Sequence, residues 1–101
     1  MITVIASIRV KPGTREAYLD VLKGNLAGVR AEAGCHEYRP TIDTPSGLAA
    51  QQMEPDVVTL LEKWATLDAL RAHLAAPHMA AYREKVKGMV VSVSLKVLTD
   101  A

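Results

Sequence analysis

The chain has 101 residues, half of them hydrophobic, and its formal net charge is +1. This length corresponds to a single domain over residues 1–101, whose core is small enough that a partner subunit would improve burial. Because the charges nearly cancel, the composition gives no reason to expect a nucleic acid or a membrane surface as a partner. Cys35 is the only cysteine, which excludes an intrachain disulfide and is typical of a reducing compartment.

The N-terminal residues enter strand-like sequence directly, without a basic leader or a cleavage site. No apolar run approaches the ~18 residues that a membrane span needs. We therefore expect a cytoplasmic protein that does not insert into a membrane.

The first third of the chain predicts a strand and a helix. From Ile2 to Val10 every second residue is apolar, which is the period of a half-buried strand. Thr14 follows a Lys-Pro-Gly break and is a suitable N-cap. The helix that it begins is expected to run to about Glu32 and to end at Gly34.

The middle of the chain predicts two strands separated by an irregular segment. His36 to Ile42 is expected to be a strand that Pro40 restricts to a sheet edge or a bulge. Asp43 to Gly47 is a turn, and residues 48–56 fit either a hairpin tip or a strand extension. The aliphatic run from Val57 to Trp64 is the third strand.

The last third predicts a helix from Thr66 to about Ala76, a stop at Pro77, a further helical stretch, and a strand from Val91 to Val97. The order β-α-β-β-α-β is that of the ferredoxin-like unit, an α+β fold with a four-stranded antiparallel sheet and its helices on one face. Apolar residues remain on the other face, which predicts a homodimer through the sheet. They are Ile5, Val57, Leu61, Val90 and Leu98.

A carboxylate, an indole and an imidazole converge at the end of the third strand. Side chains alternate along a strand, so Glu62 and Trp64 share one face. The helix that follows carries His73 two turns from its start, and Pro77-His78 comes next. This strand–helix unit is a candidate pocket wall.

These pieces, in this order, resemble the antibiotic biosynthesis monooxygenase family of small dimeric α+β barrel proteins. The resemblance covers essentially the whole chain, and it depends on the order of short motifs that are not specific one by one. The motifs are Lys11-Pro12-Gly13 after the first strand, Ala33-Gly34-Cys35 leading to Tyr38, Glu62-Lys63-Trp64, Ala69-Leu70-Arg71-Ala72-His73, and Pro77-His78.

The resemblance implies a homodimer whose sheets pack together, with an apolar pocket in each subunit between sheet and helices. Relatives include oxygenases that use neither flavin nor metal and act on quinols or polycyclic phenols, haem-degrading enzymes, and an isomerase of a small phosphorylated sugar. The haem-degrading branch has an asparagine in the first strand, where this chain offers Thr3 and Ser7. Haem breakdown is therefore disfavoured.

His73 is the candidate catalytic residue. An imidazole, with a reference pKa near ~6.5, could accept a phenolic proton at neutral pH. The structural alternative is a half-buried histidine that is hydrogen-bonded to the backbone or to Glu62.

Trp64, Glu62 and His78 are candidate substrate-binding residues, each with a structural alternative. Trp64 could stack on a planar substrate or belong to the core. Glu62 could orient His73 or form a structural ion pair. His78 could donate a hydrogen bond into the pocket or cap the last helical stretch.

No metal or cofactor motif is expected. On a continuous helix His73 and His78 would diverge by about 140°, Pro77 interrupts the helix between them, and no third ligand has suitable spacing. His36 and Tyr38 are predicted to share one face of the second strand, where they could line the pocket or the dimer seam.

Three functions are compatible with these observations. The first is a cofactor-independent monooxygenase that uses molecular oxygen on an electron-rich aromatic such as a quinol, with His73 as the base in a dry pocket. The second is a cofactor-free isomerase of a small metabolite, and the third is a non-catalytic dimeric binding module. An apolar pocket favours the first, an arginine-rich pocket the second, and a filled core the third.

Overall fold

The alternating apolar segments form one antiparallel sheet in the computed structural model, which describes residues 1–101. Its strands are β1 (Ile2–Val10), β2 (Cys35–Thr41), β3 (Val57–Trp64) and β4 (Val90–Leu98), in the spatial order β2-β3-β1-β4. The helices are α1 (Arg15–Arg30), α2 (Leu67–Ala75) and α3 (Pro77–Val86). The predicted ferredoxin-like α+β fold is confirmed. None of the three helices has the length and the hydrophobicity of a membrane span.

Local sequence explains the boundary between α2 and α3. The Thr66 side chain accepts a hydrogen bond from the Ala69 N–H and so caps α2. Ala76 is extended, with ψ at 141°, because the residue before a proline is excluded from the helical region. Pro77 then occupies the first turn of α3, where its missing N–H is not needed. The chain therefore changes direction between the two histidines.

The core lies between the helices and one face of the sheet. In the β1–β3 ladder Val4 pairs with Glu62, Ala6 with Leu60 and Ile8 with Val58, and all six side chains are buried. Because paired residues point to the same side of a sheet, this register places Glu62 on the helix-covered face. Residues 42–56 contain neither helix nor strand.

The exposed apolar surface is not where the sequence predicts it. On the open face Val57 is buried, Ile5 and Leu61 are half-buried, and only Leu98 is exposed. Val90 lies on the helix-covered face instead, because an irregularity in the β1–β4 ladder pairs it with the buried Val10. The helices pack against β2, β3 and one another, so they leave the edge strand β4 uncovered on the helix side. A row there is 48–58% exposed, and it consists of Val91, Val93, Leu95 and Val97.

His36 and Tyr38, which the sequence predicts on one face of β2, differ in burial. The β2–β3 pairing shifts register between Cys35 and Glu37, and an irregularity of this kind resets the alternation of side chains. Tyr38 consequently points into the core and is buried, whereas His36 is exposed to solvent.

A glycine turn fixes the end of α1 against α2. Gly34 has a φ of +81°, and a Cβ at this position would lie 2.7 Å from the Cβ of Ala69. The Gly34 carbonyl accepts a hydrogen bond of 2.8 Å from the Ala65 N–H, just before α2. The turn therefore needs glycine both for its backbone conformation and for the close approach of the two segments, and it carries Glu32 to α2.

We expect Gly34→Ala to destabilise the protein by about 2–4 kcal/mol, because left-handed strain and a steric clash act together. Gly13→Ala is the matched control. Gly13 has a φ of +77° but no atom within 4 Å of its hypothetical Cβ, so only the strain of about 1–2 kcal/mol applies. Urea unfolding of both variants measures the difference. If both variants lose the same free energy of unfolding, the predicted clash between residue 34 and Ala69 does not destabilise the protein.

Candidate functional site

A cavity of about 450 Å³ lies between the sheet and the helices. Twelve of its sixteen lining residues are hydrophobic, and the volume is in the ~300–1,000 Å³ range of small-molecule sites. The sheet forms one wall of the cavity and the helices form the opposite wall, and the edge strand β4 borders it on one side. The residues that bring polar groups to the lining include Tyr18, Tyr38, Glu62, His73, Tyr82 and Arg83.

His73 projects from α2 into the wall of this cavity and is only 2% exposed. Its ring packs against the Trp64 indole, with 4.6 Å between centroids, and against the edge of Tyr38 at 5.4 Å. Aromatic packing on two sides holds the imidazole in one orientation.

A carboxylate that no local sequence pattern points to contacts one nitrogen of this imidazole. The Nδ1 atom of His73 lies 2.9 Å from Oε2 and 3.2 Å from Oε1 of Glu32. An ionised carboxylate only accepts hydrogen bonds, so Nδ1 carries the proton and Nε2 keeps a lone pair in the neutral ring. No polar side-chain atom is sealed in the protein without a partner, and Nε2 has none, so Nε2 faces the cavity.

Glu62 is the second titratable group in the cavity wall. Its Oε1 accepts a hydrogen bond of 2.9 Å from Trp64 Nε1. The carboxylate that contacts His73 is therefore Glu32, and the predicted alternative in which Glu62 orients His73 is wrong. Oε2 of Glu62 has no protein partner and is not sealed, so it too faces the cavity.

Burial moves the pKa values of the two cavity groups in opposite directions. Desolvation lowers the pKa of His73 below its usual 6.5, although the hydrogen bond and the charge of Glu32 oppose this change. Desolvation raises the pKa of Glu62, and the indole hydrogen bond opposes it. Neighbouring groups whose pKa values burial shifts away from the ordinary ones are typical of acid–base sites. His73 is thus a neutral base at neutral pH.

Trp64 does not reach the cavity. Its side chain is fully buried beneath His73, and the predicted core role is confirmed. It acts on the site through two neighbours, since it stacks on the imidazole and donates a hydrogen bond to the Glu62 carboxylate. Stacking of Trp64 on a substrate is therefore incompatible with this arrangement.

His78 lies neither at a helix cap nor in the cavity. The N-cap of α3 is Ala76, and no side chain caps that helix. Nε2 of His78 instead lies 2.8 Å from Glu32 Oε2, so the two histidines converge on one carboxylate. The predicted divergence of about 140° assumes a continuous helix, and the extended Ala76 breaks that assumption.

Two tyrosines add a polar pair to the helix side of the cavity. The Tyr18 and Tyr82 hydroxyl groups are hydrogen-bonded to each other, and their rings meet edge to face. Desolvation by burial is the main reason that the pKa of each phenol is raised, so both remain neutral. In the sequence Tyr18 appears only as part of an apolar helical stripe, which gives no sign of this role.

We expect Glu32→Gln to lower the pKa of His73 further. Both the charge of Glu32 and its hydrogen bond favour the imidazolium form, so their loss leaves desolvation less opposed. The neutral ring should then persist to lower pH, which an NMR titration of the histidine Cε1–H signals measures. The exposed His36 serves as the internal control and should not move. An unchanged or raised pKa of His73 would contradict the assigned contact.

Comparisons with known proteins agree with this architecture. Residues 1–85 match the family described as "Antibiotic biosynthesis monooxygenase". An Escherichia coli K12 protein, "Probable quinol monooxygenase YgiN", is 43% identical over 100 residues, which cover 97% of this chain and 96% of that protein.

Two solved structures are similar over nearly the whole chain. PA3566 from Pseudomonas aeruginosa has a TM-score of 0.81 and 26% identity, covering 99% of this chain and 93% of that one. SO0527 from Shewanella oneidensis has a TM-score of 0.80 and 28% identity, covering 96% and 87%. The resemblance seen in the sequence is confirmed: the chain belongs to the antibiotic biosynthesis monooxygenase family.

Proposed function

We propose that this protein is a monooxygenase that oxidises a quinol or a related electron-rich phenol with molecular oxygen, using neither flavin nor metal. Family membership and the similarity to the Escherichia coli protein confirm the expected monooxygenase activity. That relative is named for quinols, and a largely apolar cavity of about 450 Å³ suits a small aromatic ring.

The observation that carries the proposal is the neutral His73 whose Nε2 faces an apolar cavity. A phenol that enters with its hydroxyl group toward this atom can transfer the proton to it. Glu32, on the opposite side of the ring, stabilises the imidazolium that forms. The phenolate is far more electron-rich than the phenol, and it can pass an electron to oxygen.

The overall reaction balances without a cofactor. A hydroquinone reacts with one O₂ to give a hydroxyquinone and one water. One oxygen atom forms a bond to a ring carbon, which loses its hydrogen, and the other oxygen atom leaves as water. All four electrons come from the substrate, and no net proton is gained or lost. The cavity must therefore remove protons early in the reaction and return them when oxygen is reduced.

The two alternative functions fit the cavity less well. A phosphorylated metabolite calls for several cationic side chains that are free to bind it. The lining has two, and both have protein partners: Arg83 donates a hydrogen bond to the Leu74 carbonyl, and Lys87 is paired with Glu84. A purely structural or binding role predicts a filled core, whereas this core contains an open cavity.

A homodimer is part of the proposal. Val93 and Leu95 line the cavity and are still 55% and 49% exposed, so the cavity is open to water along β4. This edge strand also has an unpaired backbone edge, and exposed edges with apolar side chains favour association. A second copy seated on the helix side of β4 would cover the apolar row and dry the cavity, as radical chemistry requires.

His73→Gln should lower quinol-dependent oxygen consumption by about 10²-fold or more, the usual contribution of a positioned base. Glutamine approximates the volume of the buried ring and can still donate to Glu32. Wild-type activity should rise with pH through the pKa of His73, which lies below the usual 6.5. The variant should not show this rise of activity with pH. His36→Gln is the matched control and should match the wild type. If His73→Gln keeps full activity and the same rise of activity with pH, His73 is not the base.

Light scattering at micromolar concentration should give about twice the chain mass of 10.9 kDa. Val91→Lys places a charge in the exposed row without touching the cavity, and it should shift the protein toward monomer. Ser92→Lys points to the opposite face of β4 and should leave the dimer intact. Dissociation by Ser92→Lys alone would place the seam on the open sheet face, and a monomeric wild type would rule out the dimer.

A further inference from the structure

Three titratable groups form a continuous chain from the cavity to the surface. Oε2 of Glu32 lies 2.9 Å from His73 Nδ1 and 2.8 Å from His78 Nε2. Side-chain exposure increases along the chain, from 2% for His73 to 14% for Glu32 and 37% for His78. The outer ring borders a polar surface groove with Asp20, Asn25 and Lys85, where water has access to it.

We propose that Glu32 and His78 are a proton relay that exchanges the proton of His73 with solvent during the reaction. The inference rests on the proposed function, because the proton that the relay carries comes from the hydroxyl group of the quinol. His73 is then the catalytic residue, and Glu32 and His78 act through it. Neither relay residue lines the cavity.

The proton steps balance in both directions. The substrate hydroxyl proton moves to His73 Nε2, and the Nδ1 proton moves to Glu32 Oε2. At rest the Nε2–H of His78 donates to Glu32. Exchange with water moves the proton of this ring to Nδ1, the protonated Glu32 oxygen then passes its proton to the bare Nε2, and the Nδ1 proton leaves to water. His73 now holds one proton, on Nε2, and it donates this proton to reduced oxygen as the reverse transfer returns a proton to Nδ1. The reverse transfer restores the starting state, as the proton-neutral reaction requires.

The exposure gradient gives the relay its driving force. A positive charge on His73 is penalised by desolvation, and the same charge on the half-exposed His78 is penalised less. Arg83 also faces His73 and disfavours a cation there. The other titratable groups near Glu32 are Cys35, Tyr38 and Glu62, and none of them is hydrogen-bonded to it. The only hydrogen-bonded route from His73 to the surface groove therefore passes through His78.

His78→Gln separates a relay from a merely structural contact. The amide can still donate a hydrogen bond to Glu32, but it cannot accept and release a proton at neutral pH. We expect turnover of a hydroquinone to fall about tenfold or more, the solvent isotope effect to rise, and added imidazole to restore much of the rate. The matched control, His36→Gln, should show none of these changes. Wild-type turnover in His78→Gln, or a loss that imidazole does not rescue, would overturn the relay.

A second measurement does not need turnover. The exchange of the His73 Nδ1 proton with water, followed by ¹⁵N NMR on the ligand-free protein, should slow about tenfold or more in His78→Gln and stay unchanged in His36→Gln. Unchanged exchange in His78→Gln would overturn the relay. If the wild type consumes no oxygen with any quinol but the exchange result holds, the proposed function fails and the proton path stands.

Discussion

The structure depends on one constraint: a polar side-chain atom that is sealed from water must have a hydrogen-bond partner. Every such atom in this protein has one. The Trp64 indole is paired with Glu62, and the buried side of His73 is paired with Glu32. These pairings use up the inward-facing atoms and leave one nitrogen and one carboxylate oxygen directed at the cavity. The chemistry of the site follows from what the packing leaves unpaired.

Packing and reactivity are linked through the aromatic residues. Trp64 never meets the substrate in this arrangement, but it supports the imidazole and orients the carboxyl group of Glu62. Tyr38 contacts both His73 and Trp64 after the irregularity in β2 turns it inward. A base held by two aromatic neighbours loses little freedom when a substrate binds, which is how preorganisation contributes to rate.

The glycine turn after α1 links the fold to the site. Glu32 lies only two residues before Gly34, whose positive φ and close contact with Ala69 bring the two segments together. The extended Ala76 does the same for His78, because it swings α3 away from the axis of α2. Two local backbone features therefore build a three-residue contact that spans 46 positions in the chain.

The sequence by itself determined the strands, the helices and their order, because the periods of two and 3.6 residues and the Pro and Gly breaks are local signals. It also placed Glu62, Trp64 and His73 near one another, since a strand and the helix after it share an end. Only the tertiary structure decided that Glu32 is the partner of His73, that His78 joins them, and that β4 carries the exposed apolar row. These depend on turn geometry, on a shifted strand register and on which strand the helices cover, and no local pattern encodes contacts between distant segments.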